Sequence, residues 1–124
     1  MATAVPINLT VEQGADFNVE FNLRDENGDY IDLSSHTIEA YFARSFTSSK
    51  PKYSFDVSGS GANPTQGLIA LSLSRNTTVV GTNQPSTASL KAGRYVYNVF
   101  ITSGGGSTKD KVFEGVLTVN PGVL

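Results

Sequence analysis

The chain predicts an all-β fold, a two-sheet antiparallel sandwich of about seven or eight short strands, and three features carry that expectation. Apolar residues recur on a period of two along several short stretches. Clusters of Gly, Asn, Asp, Ser and Pro separate those stretches with turn signals. No βαβ rhythm and no amphipathic helical pattern interrupts the series. At 124 residues the chain is one domain by size, 1–124, long enough for a single continuous core.

Ile7-Asn8-Leu9-Thr10-Val11 alternates apolar and polar, a first strand, and Gln13-Gly14-Ala15 breaks it. Phe17, Val19, Phe21 and Leu23 then share one face, with Asn18, Glu20 and Asn22 on the other, as in a strand with one wet face. Asp25 to Asp29 contains Asn27-Gly28, a strong tight-turn signal because both residues tolerate positive φ. Tyr30 to Leu33 returns briefly. The strand from Thr37 to Arg44 points Ile38, Ala40 and Phe42 one way and Glu39 and Tyr41 the other.

Residues 46–51 read as a loop, and Tyr53, Phe55 and Val57 alternate through a short strand. After the break at 58–64, Gly67 to Leu73 turns Ile69, Leu71 and Leu73 inward. Ser74 to Gly81 has room for one helical turn capped by Ser74, and 82–89 is loop-like. Arg94 to Ser103 is the central strand, rich in Tyr, Val and Ile. Residues 103–107 form a hairpin tip, and Asp110 to Asn120 closes the series before Pro121. Residues 1–6 and 121–124 stand as candidate arms for packing onto a neighbouring subunit, with frayed ends as the plainer reading.

Leu90, Gly93 and Tyr95 have the arrangement of a tyrosine corner. In immunoglobulin-like sandwiches such a tyrosine bonds its hydroxyl to the backbone just upstream. Leu90 would plug the core, Gly93 would take the turn, and Tyr95 would lie along it. Tyr97 stands where antibody domains have cysteine, and the chain has no tryptophan. An immunoglobulin-like topology without antibody-type core chemistry follows.

A hydrophobic content of 39% with 16% charged residues belongs to a folded chain. Net charge is −2 and basic residues are dispersed, so no nucleic-acid footprint is expected. No segment reaches the roughly 18 apolar residues that cross a bilayer. The N-terminal residues lack the basic and apolar regions of a secretory signal, and the sequons at Asn8 and Asn76 are read as coincidental. The absence of cysteine fits synthesis in a reducing cytoplasm.

Candidate chemistry is sparse. His36 is the single histidine, and neither a nucleophile elbow nor an oriented partner accompanies it, so it reads as a turn or surface residue. Asp25, Asn27 and Asp29 open like a calcium loop, but Tyr30 stands where the loop needs glycine and His36 where it needs glutamate. They are weak metal candidates in what is otherwise a turn. Glu12 with Asp16, and Glu39 with Asp56, are conceivable carboxylate pairs that nothing in the sequence brings together. Gly104-Gly105-Gly106 lacks the lysine and the following helix of a phosphate loop. Tyr41, Phe46 and Tyr53 are the candidates for stacking on sugars. The expectation is a non-enzyme without a cofactor.

Leu9-Thr10-Val11-Glu12-Gln13-Gly14-Ala15-Asp16-Phe17, and then Phe21 through Asn27-Gly28 to Ile31-Asp32-Leu33, resemble small structural proteins of tailed bacteriophages. Leu71 to Ser74, Leu90 to Tyr97 and Phe113 to Val119 fit the same pattern, so the likeness runs from Ile7 to Pro121. The resemblance implies a single immunoglobulin-like sandwich with a non-enzymatic assembly or accessory role in the virion. Its place would be the capsid surface, as a decoration, the neck, or the tail and baseplate. Its partners would be other virion proteins, with no nucleic acid or membrane among them. The alternative is a module of the same fold that binds carbohydrate or a host surface.

Overall fold

The computed structural model describes residues 5–24, 27–33, 36–45, 52–57, 68–76, 84–102, 106 and 108–123. Eight strands are formed among them: β1 (Val5–Pro6), β2 (Leu9–Glu12), β3 (Phe17–Asn22), β4 (Thr37–Ala43), β5 (Tyr53–Ser54), β6 (Leu68–Leu73), β7 (Gly93–Thr102) and β8 (Lys109–Asn120). The larger sheet runs β1-β8-β7-β4-β5, with β2 also on β8, and the smaller sheet pairs β3 with β6. The alternation fixes which residues face the gap between the sheets. Phe17, Phe21, Ile69, Leu71 and Leu73 enter it from the smaller sheet, and Phe42, Tyr95, Tyr97, Val99, Leu117 and Val119 from the larger. Across the gap, Phe21 stacks on Phe113 with ring centres 4.4 Å apart, and Phe55 lies 5.9 Å from Phe17 and 6.3 Å from Tyr97.

The all-β sandwich is as expected, but its pairing is not antiparallel throughout. Both β1 and β2 run parallel to β8, in the register Val5↔Phe113 and Leu9↔Leu117. Direction is forced to alternate only where neighbours are joined by a hairpin. Here the chain leaves β2 at Gly14 (φ 83°) and crosses to β3 in the other sheet, so no hairpin constrains it. The expected strand over Tyr53 to Val57 is also divided. β5 pairs with β4, and then Asp56 bridges to Ser72 of the smaller sheet. The return after the Asn27-Gly28 turn is reduced to a bridge between Arg24 and Tyr30. A 3-10 turn occurs at Thr87–Ser89, inside the expected loop, and its cap is Ser86. The helical turn anticipated over 74–81 falls largely on residues outside those described.

The tyrosine corner is present. Tyr95, 2% exposed, donates its hydroxyl hydrogen to the Lys91 carbonyl at 2.8 Å. Leu90 is buried beneath it, and its carbonyl accepts a 2.6 Å bond from Gln13 Nε2. Gly93 has φ 138°, a conformation that side-chain-bearing residues rarely adopt. The Arg44 guanidinium fills the space a Cβ would take there and lies 4.3 Å from the centre of the Tyr95 ring. Two residues on, Tyr97 donates to the Ile7 carbonyl at 2.5 Å, fastening the N-terminal strand to the core. Gly115 lets that carbonyl approach, because a Cβ there would collide with it. Asn8 Oδ1 accepts from Val116 N at 3.1 Å and bridges the gap between β1 and β2.

Replacing Tyr95 by Phe removes one hydroxyl and leaves the Lys91 carbonyl without it, at a cost of about 1 kcal/mol. A urea denaturation midpoint identical to that of the parent chain would refute the corner's contribution.

Burial pushes the Tyr97 phenol up to about 12 from its ordinary 10.0. The unfolded chain releases this proton first, so stability is complete below pH 10.0 and falls as the pH rises through about 12. Tyr95 is raised in the same direction, chiefly by burial. Denaturation series across alkaline pH should therefore show a shallower decline for Tyr97→Phe than for the parent chain. Parallel declines would contradict the assignment.

Candidate contact site on the outer sheet face

The same alternation that buries Phe42 and Tyr97 turns Glu39, Tyr41 and Ala43 of β4, and Val96, Asn98 and Phe100 of β7, to the outside of the larger sheet. Register places them in rows. Tyr41 lies opposite Asn98, Glu39 opposite Phe100, and Ala43 opposite Val96. Lys52, just ahead of β5, and Lys109, at the start of β8, lean in from either side. Tyr41, Ala43, Val96, Asn98, Phe100 and the two lysines line an open groove of about 330 Å³, with Glu39 beside it.

Its chemistry is that of two aromatic rings held by charges. Lys52 Nζ stands 3.9 Å from the centre of the Tyr41 ring, and Lys109 Nζ 5.0 Å from that of Phe100. Tyr41 donates a 2.6 Å hydrogen bond to Glu39 Oε2, and Lys109 Nζ is 3.4 Å from Glu39 Oε1. The Tyr41 hydroxyl, then Lys109, hold the Glu39 carboxyl below its ordinary range against the opposing effect of burial. The same bond raises the Tyr41 phenol. Asn98 sits half-buried in the middle, and among the described residues no group bonds its side-chain amide. The groove thus offers two rings and an open donor–acceptor amide, with a clamped carboxylate beside them.

The sequence-predicted candidates fall out differently. Tyr41 lies in this groove, whereas Tyr53 packs inward against Phe42 and Tyr95. Phe46 lies outside the described residues. Asn98 and Phe100 were not among the candidates, although both lie on the strand expected over Arg94 to Ser103, at alternate positions that face outward. The two lysines could be found only from the register. His36 lies half-buried just ahead of β4, its N–H bonded to the Leu33 carbonyl three residues back at 3.0 Å, and among the described residues its Nδ1 has no hydrogen-bond partner.

Of the weak metal candidates, Asp25 lies outside the described residues, while Asn27 and Asp29 flank Gly28, whose φ of 83° makes the turn. A cation already occupies this turn. Arg24 donates to the Gly28 carbonyl and to the Tyr30 hydroxyl, both at 2.8 Å, and stacks 4.1 Å from the Tyr30 ring centre. Among the described residues no group of three or more His, Cys, Asp or Glu is placed to hold a metal ion. Glu12 and Asp16 share another groove, but each is engaged, Glu12 by Asn120 Nδ2 and Asp16 by Arg75 N. Glu39 is committed to the outer face, and Asp56 to the bridge with β6.

No family model matches the chain, and no curated protein matches it. Among solved structures it is similar to Tim-1, at 13% identity over 98% of both chains and a TM-score of 0.42. It is similar to Tim-2 at the same identity and coverage, with a TM-score of 0.39. A family 123 glycoside hydrolase from Clostridium perfringens aligns at 16% identity and a TM-score of 0.37, over 95% of this chain and 23% of that one. The strand order described above stands independently of these likenesses.

Removing the Tyr41 hydroxyl as Tyr41→Phe takes away the largest influence that lowers Glu39. The Glu39 carboxyl carbon should then titrate at higher pH in NMR spectra of the variant. An unmoved titration curve would show that the hydrogen bond is not formed in solution.

Proposed function

We propose that this protein is a non-enzymatic structural component of a tailed bacteriophage particle, made in the host cytoplasm. It acts by repeated protein–protein contact with other virion proteins on the capsid, neck, or tail and baseplate. The resemblance of its strand and turn segments to such proteins suggests the setting. The observation that carries the contact role is the outer face of the larger sheet. There, Tyr41, Val96 and Phe100 surround Asn98, and Lys52, Lys109 and Glu39 form a charged border. Aromatic and amide groups at the centre with charge at the rim suit a protein contact patch.

A second reading is favoured by one detail of that face. An open amide between two aromatic rings also suits a neutral sugar, whose C–H face stacks on a ring while its hydroxyls bond the amide. Mass spectrometry of purified particles of the encoding phage should find the protein in many copies. Tyr41→Ala and Phe100→Ala should lower its incorporation without unfolding the isolated domain. Absence from particles would refute the assembly reading. Saturable binding of the isolated domain to neutral oligosaccharides, abolished by Tyr41→Ala, would replace it with the second.

A further inference from the structure

The smaller sheet ends in an open edge. Among the described residues β3 pairs with β6 alone. The backbone of Ser72 exchanges two 2.9 Å hydrogen bonds with Asp56, so its N–H and C=O point away from β3. Antiparallel alternation then directs Ile69, Leu71 and Leu73 of β6 towards β3, where they meet Phe21, Val19 and Phe17. The N–H and C=O groups of Asn18, Glu20 and Asn22 consequently point outwards, along an exposed edge that no hydrogen bond among the described residues reaches.

The N-terminal segment, which could have paired there, is held on β8 instead, from Val5 to Glu12. Between its outer side and β3 lies a groove of about 350 Å³. Leu9 and Phe17, 7% and 8% exposed, contribute apolar surface to it, and Val19 lies half-buried beside them. Its polar border is acidic. Glu12 and Asp16 line it, Glu20 is next along the edge, and no Lys or Arg lines it among the described residues.

We infer that the β3 edge is a strand-addition site for an extended, basic segment of a partner protein. The added strand bonds the outward backbone of Asn18, Glu20 and Asn22. Its alternate apolar side chains enter the groove beside Leu9 and Phe17, and its Lys or Arg side chains meet Glu12 and Glu20. A second copy is the poorer occupant, because its β3 would bring a further Glu20 to an acidic rim. This inference rests on the assembly reading and supplies the mode of contact for it.

The test uses the full chain, isotope-labelled, with synthetic peptides of about seven residues that alternate valine with lysine or valine with glutamate. The lysine peptide should slow amide exchange at Asn18, Glu20 and Asn22 by at least about tenfold, and the glutamate peptide should bind about tenfold more weakly. Glu20→Pro deletes an outward N–H that makes no bond to β6, and should abolish binding while the domain still melts cooperatively. Glu20→Lys keeps every backbone donor and should weaken only the lysine peptide, which preserves the test if the proline variant does not fold. Equal binding of both peptides, unprotected edge amides, or protection that grows with protein concentration alone would each overturn the inference. None of these results involves particles, so a failed peptide experiment leaves the particle measurement to decide the assembly reading separately.

Discussion

With no cysteine in the chain, strand β7 ties the corner before it and the N-terminal strand to the core by hydrogen bonds, using Tyr95 and Tyr97. Both rings are almost fully buried, and each buried ring contributes on the order of 2 kcal/mol. Each hydroxyl adds only about 1 kcal/mol net, but a buried phenol without a partner costs more than that. The rings therefore drive burial, while the hydroxyls decide what lies over them. Tyr95 selects the corner at Lys91, and Tyr97 selects the Ile7 carbonyl.

The Tyr97 bond has consequences well beyond its own strand. Ile7 also donates its N–H to the Glu114 carbonyl at 2.8 Å, so its peptide is held from two directions. Gly115 removes the side chain that would keep it away, and Asn8 supplies an acceptor to Val116 where β1 and β2 are interrupted. Further on, Gln13 N bonds the Asn120 carbonyl, and Gln13 Oε1 accepts from Gly122 N at 2.9 Å. The first strand is thus committed to β8 along its whole length. It extends the larger sheet and leaves the smaller one at two strands among the described residues.

Legibility in the sequence followed the range of the interaction. Strands β3, β4, β6, β7 and β8 were readable because side-chain alternation is local, and each begins or ends within a residue or two of its expected bounds. The tyrosine corner was readable for the same reason, since Tyr95 reaches only four residues back. Tyr97 reaches across 90 residues, and no pattern near it announces Ile7 as its partner. The parallel pairing of β2 and the division of the 53–57 segment between two sheets are equally non-local. In the outer groove, Tyr41 was identified as an aromatic on a polar face. Asn98 and Phe100 gain their place only from the pairing of β7 with β4, opposite Tyr41 and Glu39, which local alternation does not specify. Lys52 and Lys109 come from different parts of the chain, and only strand register brings them to one place.

The outer groove and the β3 edge present different chemistries because they expose different parts of the chain. On the larger sheet, β7 and most of β8 have their backbone groups spent on neighbouring strands, and β4 is paired along its length with β7, so recognition on this face depends on side chains. Those side chains restrain one another through Tyr41–Glu39–Lys109 and the two lysine–ring contacts, which lowers the entropy lost when a partner docks. At β3 the position is reversed. The side chains are short or singly charged, and the unspent backbone of Asn18, Glu20 and Asn22 dominates. Backbone pairing reads extension and register more than sequence, with specificity left to the groove and its acidic border. A small cross-link-free sandwich thereby carries one surface that discriminates by side chain and one that accepts a strand. The first follows from the register of β4 on β7, and the second from where Tyr97 holds the first strand.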